Sequence, residues 1–72
     1  MTRLPVISGE QCIATLKKFG YESARQAGSH CRLVCAGRSA VTVPLHKTLK
    51  RGTLRSILRT VGVSIEDFGS AL

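Results

Sequence analysis

The sequence predicts an α+β two-layer sandwich: one helix, a three-stranded antiparallel sheet, a second helix and a short C-terminal helix. Three observations carry this expectation. A capping box, Ser8-Gly9-Glu10-Gln11, precedes Ile13, Leu16 and Phe19 at helical spacing, and Gly20 closes the segment. An alternating segment, His30 to Cys35, then follows the Gly28-Ser29 turn, and a second one rich in Val and Thr, Ala40 to Leu45, follows the turn at Gly37. Finally Leu54, Ile57, Leu58 and Val61 stand at i, i+3, i+4 and i+7, the apolar stripe of an amphipathic helix. Two helices on one face of a strand meander make a two-layer sandwich.

Met1 to Ile7 reads as a lead-in, with Pro5 discouraging helix before it. Ser8 is the N-cap of the first helix, and Lys17 and Lys18 fall off its apolar stripe. Tyr21 to Ala27 reads as a strand of weak alternation, Gly28-Ser29 as the turn, His30 to Cys35 as the second strand and Ala40 to Leu45 as the third. Pro44 cannot donate to a ladder, so the third strand is expected at an edge. With Cys31, Leu33 and Cys35 facing the core, their expected partners are Leu45, Val43 and Val41. That register sets His30 opposite His46 on the open face, with Arg32 and Thr42. Arg51, Arg55 and Arg59 form a basic stripe on the second helix, which Gly62 ends. Ser64-Ile65-Glu66-Asp67 starts the last helix, which carries Phe68.

The 72 residues are read as a single domain, 1–72, without internal repeats. A chain of this size buries only about 60% of the surface its unfolded form exposes. Any activity must therefore use a few side chains on one scaffold. The formal charge is +7, and no acid lies between Glu22 and Glu66. That interval holds Arg25, Arg32, Arg38, Lys47, Lys50, Arg51, Arg55 and Arg59. Such a field attracts polyanions, nucleic acid foremost. The three cysteines, Cys12, Cys31 and Cys35, lack zinc-like spacing. Cys31 and Cys35 lie roughly 13 Å apart on an extended strand, too far for a disulfide. They read as small core residues of a cytoplasmic protein. No apolar leader or membrane-spanning run is present, so no membrane partner is expected.

The four acids, Glu10, Glu22, Glu66 and Asp67, are not clustered as metal-dependent hydrolysis requires. No cofactor is expected. Ser29 adjoins His30, but neighbours on a strand point to opposite faces, which argues against a nucleophile–base pair. The remaining scheme is metal-free and acts on RNA, which supplies its own nucleophile in the 2′-hydroxyl. A histidine, with an ordinary pKa near 6.5, can take that proton, while Arg and Lys stabilise charge on the phosphate oxygens. DNA lacks the hydroxyl. His30 is the candidate base, and His46 a possible acid partner. The segment from Lys47 to Gly52 leads into a helix whose N-terminal N–H groups could also meet a phosphate.

Several stretches together resemble the HicA toxins, small mRNA interferases of toxin–antitoxin pairs. They are Leu4-Pro5-Val6-Ile7-Ser8-Gly9, Phe19-Gly20-Tyr21, Arg25-Gln26-Ala27-Gly28-Ser29-His30 and Val43-Pro44-Leu45-His46, then the run from Leu49 to Arg59 and Gly62-Val63-Ser64. The pairing of Gly-Ser-His with Gly-Thr-Leu-Arg-Ser-Ile-Leu-Arg is the specific part. The resemblance implies a double-stranded-RNA-binding-domain-like fold and ribosome-independent mRNA cleavage, with His30 catalytic. It also implies a HicB-type antitoxin that covers His30. RNA contacts are expected from Arg25, Gly28, Ser29, Arg32, His46, Lys47, Lys50, Arg51 and Arg55, and no DNA binding by the toxin alone. The loop from His46 to Leu49 is shorter than is usual in that family, so Lys47, Lys50 and Arg51 remain alternatives for one phosphate contact. Two other classes fit the charge: a non-catalytic RNA-binding module and a module that meets an acidic protein.

Overall fold

The computed structural model describes residues 3–72, so Met1 and Thr2 of the expected lead-in lie outside the described residues. The elements are α1 (Gly9–Lys17), β1 (Glu22–Ala27), β2 (His30–Cys35), β3 (Arg38–Pro44), α2 (Arg51–Val61) and α3 (Ile65–Ala71). This is the expected α+β order. The capping box forms: Gln11 N–H donates to Ser8 Oγ at 3.1 Å, and Ser8 N–H donates to Gln11 Oε1 at 2.9 Å. Gly62, at φ 72°, ends α2 in the left-handed conformation that glycine adopts without strain.

The sheet is antiparallel in the order β1-β2-β3, so β3 is an edge as Pro44 requires, and β1 is the other edge. One face carries the core. Cys31, Leu33, Val41 and Val43 are buried there with Cys12 and Leu16 of α1, Leu54, Ile57, Leu58 and Val61 of α2, and Phe68 of α3. Burial of this apolar set is the main favourable term of folding. The other face is open: His30, Arg32, Val34 and Thr42 are all exposed.

Several contacts fix the ends of the elements. Arg38 Nη1 donates to the Val61 carbonyl at 2.7 Å, so the C-terminus of α2 lies over the start of β3. The helix thus runs back along the strand, and its N-terminus returns to the end where β3 finishes and β2 begins. Gly9 N–H donates to the His46 carbonyl at 2.9 Å, and Leu49 N–H donates to the Ile7 carbonyl at 2.8 Å. These two bonds bring the start of α1 to the same end. The approach requires glycine, since a Cβ at Gly9 would run into the Pro44 carbonyl oxygen.

The register of β2 and β3 differs from the expected one by two residues. His30 pairs with Pro44, Cys31 with Val43, Arg32 with Thr42 and Leu33 with Val41. The cause is the turn. Cys35 pairs with Arg38, so Ala36-Gly37 is a tight two-residue connection with Gly37 at φ 79°. A bulge then lets β3 gain a residue before Val41. An even slip keeps every side chain on its expected face. His46, however, is not opposite His30 and falls beyond the end of β3.

Candidate active site

His30 is placed by the turn before it. Gly28 has φ 58° and Ser29 is not in the positive-φ region, the φ pattern of a type II′ hairpin turn with glycine first. Leu45 N–H donates to the Ser29 carbonyl at 2.6 Å and ties this turn to the end of β3. His30 is therefore held by the sheet at the first position of β2 while remaining exposed.

The pairing sorts the open face into cross-strand rows. His30 stands between Ala27 of β1 and Pro44 of β3. Neither neighbour carries a polar side chain, and His30 is exposed. The next row, about 7 Å along the strands, is Arg25, Arg32 and Thr42. Arg32 Nη1 donates to Thr42 Oγ1 at 3.0 Å. Beyond it Glu22 pairs with Val34, so the one acid of this region stands on the far side of the arginine row from His30.

Arg25 reaches that row through an irregularity. Ser23 pairs with Leu33, yet Arg25 pairs with Arg32, so Ala24 is an extra residue in β1. Without it, Ala24 would stand opposite Arg32, and Gln26 opposite His30. Bulges recur beside functional sites because they re-aim a side chain in this way.

The other expected residues fall into two groups. Gly28 and Ser29 form the turn itself. His46, Lys47 and Lys50 are exposed in the β3–α2 loop, which buried Leu49 anchors, and Arg51 begins α2 at the same end of the molecule. Arg55 is exposed one turn further along α2. The exposed arc of α2 is divided. Gly52, Ser56 and Thr60 line a groove of about 370 Å³ with Val41 and Thr42. Arg51, Arg55 and Arg59 each precede one of them and lie roughly 100° round the helix, on the flank away from the groove. The arginine stripe is therefore not brought into the His30 row. The Thr42 tether of Arg32 was not foreseen, although their shared face was.

The titratable groups with perturbed chemistry lie in the core. Burial pushes the Cys12 thiol up to about 12. Burial, and then the neighbouring Cys35, raise the Tyr21 hydroxyl, with Arg38 opposing. The Tyr21 hydroxyl donates to the Ser39 carbonyl at 2.8 Å. The three cysteines are free. Among the described residues, no group of three or more His, Cys, Asp and Glu side chains could hold a metal ion. No helix among them is long and apolar enough to cross a membrane.

An open cationic surface with one histidine suits a polymeric anion better than a small metabolite, which takes an enclosed pocket. No curated protein matched the chain. A family model described as the HicA toxin of bacterial toxin-antitoxin systems matches residues 9–63, from the first residue of α1 to just past α2. That span contains the sheet and its open face, and it is most of the 72 residues. The chain belongs to the HicA toxin family, as the toxin of a toxin–antitoxin system with an antitoxin for its partner.

Proposed function

We propose that this toxin is a metal-independent endoribonuclease that cleaves mRNA, with His30 as the base that activates the ribose 2′-hydroxyl. The observation that carries the reading is the position of His30: exposed, first in β2, and one row from Arg25 and Arg32. In the reaction His30 removes the 2′-hydroxyl proton. The 2′-oxygen forms a bond to the adjacent phosphorus, and the phosphorus–5′-oxygen bond breaks. The products are a 2′,3′-cyclic phosphate and a 5′-hydroxyl end, whose proton comes from water. Charge gathers on the non-bridging oxygens during the transfer, and nearby guanidinium groups lower its cost. The scattered carboxylates support a scheme without a metal.

The RNA contacts divide by place. Arg25 and Arg32 serve the phosphate beside His30. Gly28 and Ser29 let the chain approach closely. His46, Lys47, Lys50, Arg51 and Arg55 guide the flanking strand along the basic end and flank of the domain. The setting is the cytoplasm, and the antitoxin is of the HicB type, covering His30 to silence it. The whole chain, 1–72, acts as one domain, and DNA is not bound by the toxin alone.

The test is RNA cleavage by wild type and His30→Ala, each in EDTA, with thermal melts to show equal folding. Wild type should cleave in EDTA, and the variant should be slower by about 10²–10⁴-fold. A variant as fast as wild type would remove His30 from the reaction. Intact RNA with strongly salt-dependent binding would instead favour a non-catalytic RNA-binding module.

A further inference from the structure

Arg25 and Arg32 are directly paired across the β1–β2 ladder. Like charges at directly opposed positions destabilise a sheet. The nearest carboxylate on this face, Glu22, belongs to the next row, opposite Val34. Arg32 leans to the other side and donates to Thr42 Oγ1. The pair exists only because Ala24 is an extra residue in β1; a regular ladder would put Ala24 opposite Arg32. A bulge that creates a like-charge pair one row from the histidine is a costly arrangement for the free protein. An anion lodged between the two guanidinium groups removes that cost.

We propose that Arg25, Arg32 and Thr42 form an anion clamp for a single phosphodiester beside His30. Arg25 and Arg32 each donate to one non-bridging oxygen. Thr42 is a positioning residue: it holds Arg32 through Nη1 and leaves the other guanidinium N–H groups for the phosphate. The ligand class is a phosphodiester or inorganic phosphate, and the catalytic part of the claim rests on the ribonuclease reading. The arrangement trades stability for function. Removing either arginine should stabilise the anion-free protein while weakening anion binding.

The experiment has two arms on the full chain. The first is thermal melting at low ionic strength, with inorganic phosphate or with chloride at matched ionic strength. Phosphate should raise the wild-type Tm more than chloride does. Arg25→Gln and Arg32→Gln should lose that difference, and in chloride should melt a few degrees above wild type. Arg59→Gln removes the same charge from α2 and should keep the phosphate-specific gain. The second arm is RNA cleavage. Arg25→Gln and Arg32→Gln should lower kcat by about 10²–10³-fold, as removal of a preorganised oxyanion donor does. Thr42→Val should lower kcat and Thr42→Ser should restore it. If wild type shows the phosphate effect but cleaves no RNA, the clamp stands and the ribonuclease reading falls. If the arginine variants keep the phosphate-specific gain, or change only KM, or if Thr42→Ser is as poor as Thr42→Val, the clamp is overturned.

Discussion

Two single residues show how the sheet end is built and how the core is held. Gly9 is where the start of α1 meets the Pro44 carbonyl, and no side-chain atom fits there. Gly9→Ala should cost about 1–3 kcal/mol, the usual cost of forcing atoms into a packed contact, read as a lowered urea midpoint at unchanged slope. An unchanged midpoint would mean that α1 can draw back from β3 freely. Cys12 is fully buried, and its thiol keeps its proton up to about 12. In the unfolded chain that proton leaves near the ordinary value of 9.0. Above it the unfolded state therefore binds fewer protons than the folded one, and stability falls as pH rises from 9.0 toward about 12. The raised Tyr21 hydroxyl acts in the same direction above 10.0. The urea midpoint should drop between pH values below and above that window, and Cys12→Ala should flatten part of the drop. A midpoint constant through the window would refute the assignment.

At the scale of elements, the helices were legible because their signals are local. Ser8 with Gln11, and the 54/57/58/61 stripe ended by Gly62, each specify an element within one stretch of chain. The strand faces were legible too, because alternation survives an even slip. What the chain did not disclose is how many residues each connection uses. Gly37 marked a turn, but the two-residue span of Ala36-Gly37 and the bulge in β3 depend on pairing across the sheet. The bulge at Ala24 likewise has no local signature in Glu22–Ala27. Hence the expected shared face of Arg32 and Thr42 is observed, whereas the expected pairing of His46 with His30 is replaced by Pro44 opposite His30. The division of α2 into a basic flank and a small-residue flank gives a further prediction. If the basic flank guides RNA, Arg55→Ala should weaken binding of single-stranded RNA and reduce the slope of log K against log salt by about 0.7. An unchanged slope would leave Arg55 a solvated residue with no phosphate contact.

For the whole molecule, the charge and the topology point to the same end. The acid-free interval runs from β1 through α2, and the connections gather the turn before His30, the β3–α2 loop and the starts of both long helices together. The four carboxylates fall outside that interval: Glu10 in the first turn of α1, the one acid at this end, Glu22 at the start of β1, and Glu66 and Asp67 in α3. The proposed RNA cleavage is tested most directly by the ends it leaves. Purified toxin should be incubated with an end-labelled RNA in EDTA and the fragments analysed. A 2′,3′-cyclic phosphate is expected on one fragment and a 5′-hydroxyl on the next, and neither from His30→Ala. Fragments ending in a 3′-hydroxyl and a 5′-phosphate would show that water, and not the 2′-hydroxyl, attacks the phosphorus, and would contradict the role given to His30.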